Sequence, residues 1–161
     1  MGLYDGALRA IVHALKYEGR RSLARELSER MRLRCDAVLA GADVAVPVPL
    51  HPSRRRERGF NQALDLARGL GLPVSLALRR VRATGSQIAL PAAERRRNVH
   101  EAFAPSRLPW RRRVIDDRVV VLVDDVSTTG ATLDECARVL KAMGAREVRA
   151  VTAARVATSP R

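Results

Sequence analysis

From Asp124 to Thr132 the chain reads Asp-Asp-Val-Ser-Thr-Thr-Gly-Ala-Thr, two adjacent carboxylates followed by hydroxyls around a glycine. Ser127, Thr128, Thr129 and Thr132 supply the hydroxyls, and Gly130 lets backbone approach an anion closely. A helix starting here would present first-turn N–H groups that lack partners and carry the positive end of the macrodipole. That combination suits a phosphate monoester. A phosphate by itself does not call for acids beside it, since Asp124 and Asp125 would repel the anion. Ionised carboxylates only accept hydrogen bonds, so the pair suits the vicinal hydroxyls of a ribose, or a hydrated Mg²⁺ bridging to the ligand. A sugar phosphate satisfies both halves. The plainer alternative is a strand-to-helix turn in which Thr132 and Glu135 form a capping box. The order of apolar run, acids, hydroxyls and glycine favours the binding site. Acids at a strand end are expected to be exposed and to contribute little to the core.

A second segment has anion-binding chemistry. His51 to Arg58, followed by Gly59 and Phe60, is polar, basic and proline-containing, and reads as a loop between a strand and a helix. Arginine's planar fork matches phosphate oxygens, and Arg58 is the first choice because Gly59 beside it permits an unusual backbone turn. For Arg54, Arg55 and Arg56 a solvated face is as good a reading as contact. Helix capping is enough to explain Asn61 and Gln62, and packing to explain Phe60.

These groups need elements to hold them. Val119–Val123 is an unbroken Val/Leu run of the kind buried on both faces of a parallel sheet. Leu133, Cys136, Ala137, Leu140 and Met143 then recur at helical spacing to Gly144, and Glu147–Thr152 supplies another strand, so the stretch is a βαβ unit. Upstream, two helices are expected around Tyr4–Leu15 and Leu23–Met31, a strand over Ala42–Val48 and a helix from Phe60 to Leu70. Leu72–Leu78 fits a strand or a short helix, and Pro105–Arg113 a surface excursion. Arg82 to Asn98 carries Gly, Pro, Ser and many charges without a period, and reads as a long mobile loop. The alternation predicts an α/β fold, a parallel sheet flanked by helices, in a single domain over 1–161.

The 161 residues contain 30 Lys and Arg against 17 Asp and Glu, a formal charge of +13 that attracts polyanions. With only 3% aromatic residues there are few platforms for stacking bases, so weak DNA binding is the most the composition supports. No apolar run reaches the roughly 18 to 20 residues that span a bilayer, and the N-terminus lacks the order of a signal peptide. A cytoplasmic location without membrane insertion is expected. Cys35 and Cys136 lack CxxC spacing, which excludes a zinc site of cysteines alone, and each reads as a small buried apolar residue.

The segment VVLVDDVSTTGATL resembles the motif by which type I phosphoribosyltransferases bind 5-phosphoribosyl-1-pyrophosphate (PRPP). The resemblance implies that Asp124 and Asp125 meet the ribose hydroxyls, that Ser127, Thr128, Thr129, Gly130, Ala131 and Thr132 hold the 5-phosphate, and that Mg²⁺ accompanies the ligand. LKYEGR from Leu15, VPVPLHPSRRRERGFNQALDLA from Val46 and RRVRATGSQIALPAAERRRNVHEAF from Arg79 extend it to nearly the whole chain, which is similar to the ComF family. Members of that family are associated with natural competence and use of external DNA. The likeness makes Arg58 and Gly59 part of a pyrophosphate loop, and places Thr84, Gln87, Arg95 and Asn98 in a loop that folds over bound PRPP. It tips Asn61 and Gln62 modestly towards function. Lys16, Tyr17 and Gly19 match the early family motif and receive no chemical role; Tyr17 is expected to be half-buried. ComF proteins commonly start with a cysteine-rich, zinc-ribbon-like segment, and this sequence starts just after it, so no structural zinc is expected.

Two functional readings follow. In the first, phosphoribosyl passes from PRPP to an unidentified acceptor, with Asp124, Asp125 and Arg58 as the residues closest to the chemistry and no side chain assigned to the metal. In the second, a non-catalytic PRPP sensor or DNA-uptake accessory keeps the site and adds a basic surface for nucleic acid or DNA-uptake proteins. A plain DNA-binding module is a third, weaker reading. The acceptor is not legible, and the oligomeric state, a homodimer included, is left open.

Overall fold

A computed structural model of the chain describes residues 2–82 and 101–156. Thr84, Gln87, Arg95 and Asn98, and with them all of the segment read as a mobile loop except Arg82, lie outside the described residues. In chain order the elements are β1 (Gly2–Leu3), α1 (Gly6–Tyr17), α2 (Ser22–Arg34), α3 (Asp36–Leu39), β2 (Val44–Pro47), α4 (Pro52–Arg58), α5 (Gln62–Arg68), β3 (Leu78–Arg80), β4 (Phe103–Pro105), α6 (Pro109–Arg113), β5 (Val119–Ser127), α7 (Ala131–Ala142) and β6 (Glu147–Arg155).

The main sheet is parallel throughout, in the order β1-β6-β5-β2. Its centre is the β-branched run of β5, whose first five residues are all buried, as are all four of β2. Burial on both faces explains why these strands are continuously apolar rather than alternating. Val121 and Val123 pack with Val12 and Leu15 of α1, Leu27 and Met31 of α2, and Leu66 of α5. Val120 and Leu122 pack instead with Cys136, Val139 and Leu140 of α7 and with Leu78 and Phe103 of the antiparallel β3–β4 pair. The fold is thus α/β, a parallel sheet covered by helices, as the sequence predicts.

Three local expectations change. Pro52–Arg58 is helical, not loop: His51 is extended as N-cap, Pro52 occupies the first turn where its missing N–H costs nothing, and Gly59 ends the helix at φ 76°. The ambiguous Leu72–Leu78 stretch is not helical; Val74 makes a single parallel bridge to Ala45, with Ala45 N–H to the Pro73 carbonyl (2.8 Å) and Ser75 N–H to the Ala45 carbonyl (3.0 Å), and a strand begins at Leu78. The strand read as Val119–Val123 runs on to Ser127, because β6 pairs with it as far as Arg155. Both acids therefore lie inside a strand.

Candidate functional site

Successive side chains of a strand point to opposite faces, so Asp124 and Asp125 leave β5 on different sides of the sheet. Asp125 shares the face of Val121 and Val123, which is covered by α1. There Lys16 Nζ, in the last turn of α1, stands 2.5 Å from Asp125 Oδ2, with side chains 18% and 5% exposed. The contact is an ion pair off the hydrogen-bond line, and Oδ2 makes no hydrogen bond. The expectation of two exposed acids fails at Asp125. It is part of a covered ion pair, because α1 lies directly over the end of the strand.

Asp124 faces the other layer, where its charge is felt by Arg80 on β3 and by the buried Cys136 thiol. Its Oδ1 accepts from the Asp125 N–H at 2.9 Å. Burial, and after it the neighbouring Asp125 carboxylate, pushes the Asp124 carboxyl well above the usual carboxylate range, while Lys16 pulls the other way. Asp124 still opens partly into a cleft, so water there limits the rise.

Beyond Ser127 the chain bends through Thr128 and Thr129 to Gly130, whose φ of 82° is a left-handed conformation that glycine adopts without a Cβ penalty. Gly130 is the N-cap of α7, and the Ala131 N–H reaches Thr129 Oγ1 at 3.5 Å. The capping box that is the plainer alternative for Thr132 and Glu135 does not form, since the helix begins two residues too early for Thr132 to be its N-cap. Glu135 turns inward instead, accepting the Glu101 N–H at 2.9 Å and pairing with Arg138 at 2.8 Å.

The second anion segment is anchored by its neighbours. Arg58 stacks over Tyr17 of α1, 5.0 Å from the ring centroid, and its Nη1 donates to Gln62 Oε1 at 3.3 Å. Tyr17 is 60% exposed, not half-buried. Asn61 caps α5 by accepting the Ala63 N–H (3.1 Å) while its Nδ2 donates to the Val48 carbonyl (3.1 Å), so both ends of its amide are used in structure. His51 caps α4, with Nδ1 2.7 Å from Ser53 Oγ. Phe60 packs on the core beneath Arg21.

These pieces meet in one cleft of about 650 Å³ at the carboxyl ends of β5 and β2. Asp124, Asp125, Ser127, Thr128, Thr129, Gly130, Ala131, Thr132 and Arg58 all line it. Gly59 is not among the lining residues; its N–H closes α4 onto the Arg55 carbonyl at 2.9 Å. Arg54 reaches the cleft, whereas Arg55 and Arg56 are exposed outside it. Lys16 and Tyr17, which match the early family motif but received no chemical role, also line it, as does Arg80, which the sequence did not mark as a site residue. Lys16 carries a signal in retrospect, being one of only two lysines in a chain whose cations are otherwise arginine. Arg80 carries none, since its place depends on the β3–β4 pairing, where its guanidinium lies 5.3 Å from the Phe103 centroid.

The phosphoribosyl transferase domain family matches residues 56–160, from within α4 to beyond β6. Competence protein F of Haemophilus influenzae is 33% identical over 163 residues, covering 92% of this chain and 68% of that protein. The chain belongs to the ComF family. DNA utilization protein YhgH of Escherichia coli K12 is 36% identical over 156 residues, 91% of this ComF chain and 66% of its own length. This ComF chain therefore spans about two thirds of the length of these relatives. Among solved structures, glutamine phosphoribosylpyrophosphate amidotransferase from B. subtilis superposes with a TM-score of 0.50 at 27% identity, covering 81% of this chain and 26% of the larger one. Asp124 to Thr132 lies inside the family interval, whereas Lys16 and Tyr17 lie upstream of it. Among the described residues no helix is long and apolar enough to cross a membrane.

Proposed function

We propose that the cleft binds PRPP together with Mg²⁺ and transfers its phosphoribosyl group to an acceptor. The observation that carries this reading is the convergence of the acidic pair, the Ser127–Thr132 turn and Arg58 on one cavity outside the carboxyl ends of parallel strands. The first turn of α7 and the hydroxyls before it take the 5-phosphate, and the carboxylates accept from the ribose hydroxyls. Arg58, held by Tyr17 and Gln62, faces the charge that gathers on the leaving pyrophosphate. The bond from the anomeric carbon to a pyrophosphate oxygen breaks, pyrophosphate keeps the electron pair, and the acceptor bonds to that carbon and gives up a proton.

The residues present suit a Mg²⁺ that arrives on the ligand. Asp125 is already neutralised by Lys16, and the described residues contain no cluster of three or more His, Cys, Asp or Glu side chains able to hold a metal. Mg²⁺ is accordingly read as part of the substrate complex, where it screens the pyrophosphate charge.

Calorimetry with PRPP, with and without Mg²⁺, followed by an acceptor screen scored by pyrophosphate release, tests the proposal. Mg²⁺-dependent binding with acceptor-stimulated release is expected, and indifference to PRPP would sink it. Binding without release under any acceptor would favour the accessory reading. A specific feature supports a basic surface for that role: α6 carries Arg111, Arg112 and Arg113 away from the cleft, beside an exposed Trp110 with Arg111 4.8 Å from its ring centroid. The names of the relatives refer to competence and DNA utilization. Weak, sequence-independent DNA binding is expected, and changing the three arginines to Ala should lower DNA affinity and its salt slope while sparing PRPP. Loss of PRPP binding in that folded variant would overturn the separation of the two surfaces.

A further inference from the structure

The last turn of α1 reaches two other elements with consecutive residues. Lys16 pairs with Asp125 on β5, and Tyr17 lies under Arg58 at the end of α4. Both contacted residues line the cleft, and α1 lies outside the interval matched by the phosphoribosyl transferase domain family. This N-terminal helix therefore braces the site from one side. Of its two contacts the Lys16 contact is the more consequential, because Asp125 is almost wholly covered and its Oδ2 has no hydrogen bond to replace the ammonium.

We propose that Lys16 is a positioning residue that holds the Asp125 carboxylate, and that through it the cleft distinguishes a ligand with a vicinal diol from one without. The inference rests on the reading of the cleft as a ribose phosphate site. Two carboxylates side by side repel each other, and a covered one turns away from its neighbour or takes up a proton unless a cation is fixed beside it. Lys16 is that cation on the Asp125 face. Arg80 and Arg54 lie on the side of Asp124, and Cys136 beneath it is neutral, so none of these substitutes for Lys16. With Oδ2 occupied by the ammonium, Oδ1 is the oxygen left to accept from a sugar hydroxyl. Lys16 also sits in the last turn of α1, where a positive charge meets the negative end of the helix dipole.

The test uses three probes titrated calorimetrically into the full chain: ribose 5-phosphate, 2-deoxyribose 5-phosphate and inorganic pyrophosphate. The wild-type chain is expected to prefer ribose 5-phosphate over the deoxy compound by about tenfold, the worth of one hydrogen bond to a charged group. Lys16→Met, which keeps the length and helix propensity of the side chain, should bring that preference close to unity. Pyrophosphate affinity should change by less than about twofold, and Lys16→Arg, which retains a cation, should keep most of the preference. If Lys16→Met weakens all three probes equally, Lys16 acts as a general anion-attracting charge and the positioning role is overturned. An unchanged preference in a folded Lys16→Met chain overturns it as well. Should Lys16→Met fail to fold, Lys16→Met with Asp125→Asn removes both charges together; a folded double variant that still prefers ribose 5-phosphate again overturns the proposal. The wild-type titration with PRPP stands apart: failure there refutes the ribose phosphate site itself, whereas success there with a null result at Lys16 refutes only the present inference.

Discussion

The two faces of the sheet treat adjacent aspartates differently. On the face packed by α1, Asp125 is covered and neutralised by Lys16 at 2.5 Å. On the other face Asp124 borders the cleft, and burial together with the charge of Asp125 pushes its carboxyl upward. One carboxylate has its cation built in, while burial and the charge of its neighbour disfavour ionisation of the other. Sequence adjacency thus conceals a division of labour, because the pleat sends neighbours to opposite layers with different coverings.

The largest expected effect lies on the covered face. Lys16→Met leaves Asp125 buried with its charge uncompensated and should lower the unfolding free energy by about 2–3 kcal/mol, less than a wholly buried pair because Lys16 keeps some contact with water. Adding Asp125→Asn should recover more than half of that loss in a denaturant double-mutant cycle. Independent, additive losses would show that the two residues are not coupled.

The open face should respond in the opposite sense. Asp124 has its folded-state pKa above the unfolded value, so its ionisation weakens the fold, and stability is lost as pH rises from the unfolded value towards the folded one. Asp124→Asn removes that loss. For a chain of 161 residues it should raise the melting midpoint by roughly 2–4 °C at neutral pH. The gap between variant and wild type should close on acidification, while PRPP binding falls. A variant less stable than wild type at neutral pH would mean that Asp124 is satisfied by groups other than ligand.

Smaller effects sharpen the contrast. Tyr17→Leu removes the ring under Arg58, an exposed contact whose loss should weaken pyrophosphate binding about twofold. A larger change would make Tyr17 a binding residue in its own right. Smallest of all is the expected change at Cys136, whose thiol is pushed well above its usual value chiefly by burial, with the Asp124 charge second. A neutral thiol reagent should label it only through unfolding, in wild type and in Asp124→Asn alike. Rapid labelling of the folded variant would show that Asp124 shields the thiol from solvent.

Much of this chain was determined by local pattern. The Val/Leu run of β5, the helical spacing from Leu133 to Met143 and the ordered set of acids, hydroxyls and glycine specify the strand, the turn and the helix of the proposed phosphate site, because each depends only on neighbouring residues and on periodicity. His51 to Gly59 was misread as loop, since runs of charge hide helix propensity when no apolar face marks the period, although Pro52 and Gly59 bracket a helix in the usual order. The tertiary structure alone decided what surrounds the acids. Pairing with β6 carries β5 through Asp125, which puts the acids on opposite faces, and the packing of α1 then brings Lys16 across 109 positions of sequence. Arg80 reaches Asp124 through strand pairing of the same long-range kind. Such partners are invisible to periodicity, because a charge on a helix flank looks solvated until another element packs beside it.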